Sequence, residues 1–365
     1  MAIRVGIVGA VSSYSLHYSE TFRDMEGVEL AGIAHFDRDP KYISDALNLP
    51  WLEKYPKTVE EMADRFGCPA YETIDELFEK GKPDALAICT EDYLRSKYCA
   101  IGLEHGMHVF LPKPFAQTTE EALAAFEMSN HLGLVTVGSL PTRFRSPSVT
   151  AQEIVASGAI GRPLNGHFSM THHLTLGGWK SDTSMAAGPE LETGFYIFDQ
   201  ARMLMDANPR DIVGFGENLD HRGIPYIDNA KCLIRFDTDA LATVDLILSM
   251  HHAFPRGRAS HVVGDEGALV IGQDTKGSYV EVHTADGVTR TDCESWNPLE
   301  RELGEWIRLI REGDDPNTWQ DEALKTLDLI LAFKMAHKTG ERVTFDRDEQ
   351  DEDFDSGDGE GDEDV

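Results

Sequence analysis

The sequence predicts an α/β chain in which a doubly wound parallel sheet comes first and an α+β unit, built on a large and mostly antiparallel open sheet, comes second. Three observations carry this. Apolar strand-like runs alternate with helical segments through the first third; beyond about residue 140 strand-like runs recur with only one or two helices between them; and 365 residues favour about two domains.

In order, the first third reads as a strand over 3–8, a helix over 14–25, a strand over 28–34 and helical pieces after it. A strand over 85–89, a helix over 93–105, a strand over 107–111, a helix over 119–132 and a strand over 135–139 complete the rhythm of a parallel sheet. Segment 47–70 is longer than an ordinary connection and reads as an insertion. The second part carries strands over 164–171, 211–217, 230–236, 240–250, 260–264, 268–271 and 279–284, then helices over 298–312 and 320–338. The divisions expected are 1–138, 139–345 and an acidic tail over 346–365, which has almost nothing apolar to bury and reads as disordered.

The formal charge is -31, and the tail, with twelve acidic residues and one basic residue, contributes only -11 of it. Such a body repels the phosphate backbone of nucleic acids, and acidic substrates would need a local basic pocket. With Asp and Glu outnumbering Lys and Arg 64 to 33, the composition points to a salt-loving cytoplasm, where screening removes the repulsion; an acidic mesophilic enzyme is the plainer alternative. The five cysteines lack C-x-x-C spacing and suggest neither disulfides nor zinc. No apolar run approaches the roughly 20 residues that span a bilayer, and the N-terminus lacks a signal-peptide pattern, so a cytoplasmic protein is expected.

The first strand runs into a tight turn, Gly9-Ala10-Val11-Ser12-Ser13-Tyr14, where a phosphate loop would lie. Against G-x-G-x-x-G it keeps Gly9 but has Val11 and Tyr14 at the later glycine positions. Val11 puts a Cβ where backbone should approach a pyrophosphate, so phosphates would shift outward or lie over the hydroxyls and amides of Ser12 and Ser13 at the helix start. A weaker or displaced cofactor is the expectation.

Four pieces in order and spacing carry a resemblance: this turn with His17 beyond it; 84–90 followed by 106–116, which includes Pro112-Lys113-Pro114; 187–199; and 264–269. Together they resemble the glucose-fructose oxidoreductase / inositol dehydrogenase / rhizopine-catabolism (GFO/IDH/MocA) family of NAD(P)-dependent oxidoreductases, over nearly the whole chain up to Phe345. The resemblance implies a Rossmann domain, a C-terminal domain whose open sheet joins copies of the chain into a homodimer or homotetramer, a cofactor that is NAD or NADP, and hydride transfer to or from a hydroxyl-bearing carbon of a sugar or polyol.

The family's E-K-P motif reads Pro112-Lys113-Pro114, which keeps the lysine and loses the acid that would pair with it. Lys113 is the first catalytic candidate, since an ammonium there favours loss of a substrate hydroxyl proton. The D-x-G-x-H-x-x-D helix reads Glu192 to Asp199 with Tyr196 at the histidine position, and i, i+4 and i+7 share a helical face, so Glu192, Tyr196 and Asp199 are expected to point together into a cleft, Tyr196 and Asp199 as catalytic candidates with Asp199 and Glu192 orienting substrate. A phenol near pKa 10 needs a neighbouring cation such as Lys113 to act as a base; otherwise Tyr196 is a half-buried aromatic on an amphipathic helix. Gly194 in the helix interior suggests a close approach.

Glu192, Arg143, Trp179 and Lys180 are substrate-binding candidates, and Gly9, Val11, Ser12, Ser13, Thr90, Lys113 and Pro114 are cofactor candidates. Asp37 would hold the adenosine ribose, whereas Arg38 would meet a 2'-phosphate, leaving NAD and NADP both open. Adjacent histidines at 172–173 and 251–252 point to opposite faces of a strand, so no metal is expected. The leading reading is a dehydrogenase using Tyr196 and Lys113. The alternatives are a non-catalytic sensor or partner protein, and a lyase or hydrolase that oxidises its substrate transiently with a retained cofactor.

Overall fold

The computed structural model describes residues 2–36, 56, 58–174, 177–250 and 260–345. Its first sheet contains β1 (Ile3–Val8), β2 (Val28–Ala34), β3 (Ala70–Tyr71), β4 (Ala85–Ile88), β5 (His108–Leu111) and β6 (Thr136–Gly138). The spatial order β3-β2-β1-β4-β5-β6 and the uniformly parallel pairing make it a doubly wound sheet whose strand order reverses between β1 and β4. The central strands are continuous apolar runs because both faces are covered, and β4 is buried at every position. The helices packed around this sheet are α1 (Ser13–Asp24), α2 (Val59–Phe66), the short α3 (Ile74–Glu76), α4 (Arg95–Glu104) and α5 (Thr119–His131).

Chain after α6 (Ser146–Ala156) builds a second sheet from β7 (Pro163–Thr171), β8 (Pro209–Glu217), β9 (Asn229–Phe236), β10 (Leu241–Ile247), β11 (Ser260–Gly264), β12 (Gly267–Asp274), β13 (Gly277–Thr284), β14 (Gly287–Asp292) and β15 (Val343–Thr344). Its order is β14-β13-β12-β11-β7-β10-β9-β8-β15, antiparallel except for the β7–β10 pair. Strand β14 escapes the sequence reading because it is exposed at every position and so has no apolar alternation to reveal it.

One face of the second sheet is covered by α7 (Pro189–Met205) and α9 (Asn317–Thr339), which pack on each other through Phe198 and Phe333 at 5.5 Å between ring centroids. Helix α8 (Pro298–Glu312) crosses back to the first sheet, where Trp306 meets Phe22 and Phe110 at 6.1 and 5.4 Å. The other face of the first sheet shares a continuous apolar core with the second, joined where Phe115 meets Phe195 at 4.9 Å. The expected insertion over 47–70 is described only from 56 and 58 onward, where it holds α2 and the start of β3.

Candidate active site

The carboxyl ends of β1, β4 and β5 present Gly9, Thr90 and Lys113 at the reversal point of the first sheet, the place where open α/β sheets form a ligand crevice. Gly9 has a φ of +90°, and a Cβ there would come within 2.8 Å of the Phe36 ring, so the turn demands glycine on two counts. Arg95, fully buried and paired with Asp92 at 2.9 Å, donates to the carbonyls of Thr90 and Pro114 and so ties the β4 and β5 ends together. Asp92 also accepts the Ala187 N–H at 2.9 Å, which anchors the approach to α7 against the first sheet.

Helix α7 starts at Pro189, whose ring suits a first helical position, and it delivers Glu192 to the crevice. Lys113 Nζ donates to Glu192 Oε2 at 2.7 Å and to the Glu192 carbonyl at 2.6 Å, while Lys180 Nζ donates to Oε1 at 2.7 Å. The lysine that lost its family partner from the neighbouring position therefore takes one from the facing helix. Burial works against both charges, but the close pairing outweighs it. The Glu192 carboxyl is held below the usual carboxylate range by the two lysines, and Lys113 is held above the usual ammonium value by Glu192.

Lys113 Nζ lies 5.0 Å from the Tyr196 ring centroid and 5.7 Å from that of Tyr14. Burial raises the Tyr14 phenol, against the pull of Lys113, so Tyr14 keeps its proton. These groups line a cavity of about 200 Å³ together with His17, Ser139, Arg145 and Glu302. Glu302 reaches it from α8 and accepts from Ser139 Oγ at 2.8 Å and from the Leu140 N–H at 2.7 Å. Burial pushes its carboxyl up to about 7.

The structure gathers some sequence-predicted residues and separates others. Glu192 and Tyr196 meet Lys113, but Asp199 does not join them. It is fully buried and accepts from Arg143 Nε at 3.0 Å and Nη2 at 2.8 Å and from Thr326 Oγ1 at 3.1 Å. Seven residues of helix return to the same face but advance about 10 Å along the axis, which takes Asp199 beyond the crevice. Arg143 is likewise held there, bridging Asp199 and Glu322 at 2.8 and 2.6 Å. The close approach at Gly194 is by α9, since a Cβ would meet the Ile330 side chain at 3.1 Å.

Trp179 is buried, and its indole N–H donates to the Val11 carbonyl at 2.9 Å, so it covers the nucleotide turn and does not face Lys113. Val11 spends its side chain in an apolar cluster with Trp179, Met185 and Ala186. Ser12 precedes α1, and its buried hydroxyl has no hydrogen-bond partner among the described residues; Ser13 begins the helix. A buried orphan hydroxyl beside a free helix N-terminus fits an anionic or polar ligand group. Asp37, Arg38 and the histidines at 251–252 lie outside the described residues.

Away from the crevice, ligand atoms of His173, Asp220 and His221 come within 4.8 Å of one another, a grouping the sequence spacing does not reveal. His221 is already engaged at both ring nitrogens, with Asp228 Oδ2 at 2.8 Å and the Leu174 carbonyl at 2.9 Å.

Two family models match the chain: the oxidoreductase family's NAD-binding Rossmann fold over residues 3–139 and the GFO/IDH/MocA C-terminal domain over 148–270. The chain belongs to the GFO/IDH/MocA family. Family membership brings an NAD(P) cofactor to the first sheet. D-xylose 1-dehydrogenase (NADP(+)) 2 of Haloferax volcanii is 23% identical over 295 residues, which cover 78% of this chain and 88% of that protein. The 1,5-anhydro-D-fructose reductase of Ensifer adhaerens is 23% identical over 279 residues, covering 74% and 82%.

Among solved structures, aldose-aldose oxidoreductase from Caulobacter crescentus complexed with glycerol superposes with a TM-score of 0.76 at 18% identity, covering 94% of this chain and 100% of that one. An Agrobacterium radiobacter oxidoreductase in complex with NAD+, L-tartaric acid and magnesium gives 0.77 at 21% identity, covering 94% and 98%. These likenesses establish the shared fold. The family is one of NAD(P)-dependent oxidoreductases that includes sugar dehydrogenases, and no helix among the described residues is long and apolar enough to cross a membrane.

Proposed function

We propose that the protein oxidises or reduces a hydroxyl-bearing carbon of a sugar or polyol, with Tyr196 and Lys113 as the proton-transfer pair. The observation that carries this is the placement of Lys113, fixed as an ammonium by Glu192, over the Tyr196 ring on the wall of the cavity. The NAD(P) cofactor, when bound, supplies the hydride acceptor or donor. Ser12, Ser13, Thr90 and the Gly9 turn would hold it, with Trp179 packed across the turn.

In the oxidative direction the substrate hydroxyl lies against Lys113, whose charge favours its ionisation, and its proton passes to Tyr196 in the phenolate form, which becomes the phenol as the carbon gives up its hydride. Glu192 keeps the lysine charged and in place, and Lys180 holds the other oxygen of that carboxylate. The choice of Tyr196 over Tyr14 rests on burial, which fixes the proton on Tyr14 and makes it a donor to the substrate oxygen. Asp199 and Arg143 act through packing of α7 against α9 and not at the reacting atoms.

Tyr196→Phe is expected to reduce kcat by at least ~100-fold with cofactor binding intact, the usual scale of a lost acid–base group. Unchanged turnover assigns Tyr196 to packing. Titration with NAD(H) and NADP(H) in concentrated salt tests the wider reading, and silence with all four favours the sensor alternative. We further infer that copies associate through the face of the second sheet opposite α7 and α9, which among the described residues exposes Phe215 at 74% and Leu233 at 41% beside Lys231 and Asp245. Light scattering that reports a monomer at micromolar concentration would refute this.

A further inference from the structure

The cavity beside Lys113 contains a cation, Arg145, that no acidic group neutralises among the described residues. Lys113 is paired with Glu192 at 2.7 Å, and Glu192 is shared with Lys180 at 2.7 Å. Arg145, half-buried on the cavity wall between Phe144 and the start of α6, has no acidic partner and no side-chain hydrogen bond among the described residues.

Glu302 on the same wall makes no ion pair with Arg145 among the described residues: its Oε1 accepts from Ser139 and the Leu140 N–H, and its carboxyl, pushed up to about 7 by burial, is largely protonated below neutrality. A guanidinium presents parallel N–H donors that match a carboxylate or phosphate edge, and it lies here on the wall of a cavity that also holds the Lys113 ammonium, hydroxyls, His17 and the Glu302 carboxyl. The general negative field of the protein disfavours anionic ligands, so a site that accepts one needs a local cation of this kind.

We propose that Arg145 recognises an anionic group on the substrate, and that the cavity selects a sugar acid, a polyol chain bearing a carboxylate, over the corresponding neutral sugar. The proposal rests on the oxidoreductase reading and names the substrate class of that same cavity. The carboxylate would lie on Arg145 while the hydroxyl-bearing carbon lies against Lys113 and Tyr196.

The test compares D-glucuronate with D-glucose and D-galacturonate with D-galactose as substrates of the full chain with NAD+ and NADP+, in wild type, Arg145→Gln and Arg145→Lys. The acid is expected to have the higher kcat/KM in each pair. Because a hydrogen bond to a charged group is worth ~10- to 100-fold, Arg145→Gln should lower the acid-to-neutral ratio by about that factor, mostly through KM, and Arg145→Lys should restore part of it. A neutral sugar preferred in both pairs, or a ratio unmoved in Arg145→Gln, overturns the proposal while leaving the oxidoreductase reading intact. If none of the four is turned over with either cofactor, the cofactor titration decides the oxidoreductase reading separately. The anion preference is then read by calorimetry with D-glucuronate and D-glucose alone, where tighter binding of the acid that is lost in Arg145→Gln sustains it and equal affinities overturn it.

Discussion

Replacing Glu302 by Gln should make the protein more stable at neutral pH and should do so by an amount that depends on pH. The carboxyl is 1% exposed, and Oε1 accepts both of its hydrogen bonds, so an amide oxygen in the same position keeps them. Burial raises the folded-state pKa to about 7 from 4.5, with the Ser139 and Leu140 bonds opposing it. A raised acid binds its proton more tightly in the folded state than in the unfolded one. Its contribution to stability is therefore fully present below about pH 4.5 and is lost as pH rises through about 7.

At ~1.36 kcal/mol per pKa unit the loss comes to about 3 kcal/mol, complete above neutrality. Glu302→Gln carries no titrating group there, so the gain over wild type should start near zero at acid pH, rise through pH 5–7 and level off at about 3 kcal/mol. Urea denaturation at fixed salt concentration from pH 4.5 to 8.5 reads this difference, and because all other titrating groups are common to both proteins they cancel. A difference that is flat across the range would refute the reasoning, since it would mean that burial does not hold the proton on Glu302.

Asp199→Ala should cost about 3 kcal/mol in urea denaturation by leaving Arg143 and Arg202 short of a buried counter-charge, and its turnover should fall with the folded fraction. An unmoved midpoint with abolished turnover would return Asp199 to the reacting centre. Trp179→Phe keeps the apolar cover over the turn but removes the donor to the Val11 carbonyl, with an expected loss of about 1–2 kcal/mol by the same assay. If stability instead stays level, the indole bond contributes nothing to closing the turn.

Much of the first sheet was legible because its strands are short apolar runs set between amphipathic helices, and 3–8 is bounded alike in sequence and structure. Lys113 and Tyr196 were legible for a different reason: each lies in a local motif whose spacing survives substitution of its neighbours. What spacing along one helix cannot convey is depth: Asp199 shares the face of Glu192 and Tyr196 but lies about two turns down the axis from Glu192, beyond the crevice.

Partnerships across the chain were invisible for the same kind of reason. Loss of the acid before Lys113 left its charge without a visible partner, yet Glu192 replaces it from 79 residues away. Glu302 resembles any acid on an amphipathic surface helix until α8 is seen to cross back over the first sheet. Arg143 holds the motif position, whereas Arg145, two residues on, is the one that reaches the cavity.

That return of α8 has a consequence for how the chain must be made. Leu303, Trp306 and Ile307 belong to the core beneath α1 and β5, so one face of the earliest-synthesised sheet is completed only by residues that emerge after eight of the nine strands of the second sheet. A nascent or proteolytic fragment ending at β6 would carry the Phe22 and Phe110 surface bare, a sticky intermediate exposed for most of translation. The two sheets are distinct as architecture but mature as one object, and neither half can be cut away, swapped or expressed alone without supplying the other's missing wall.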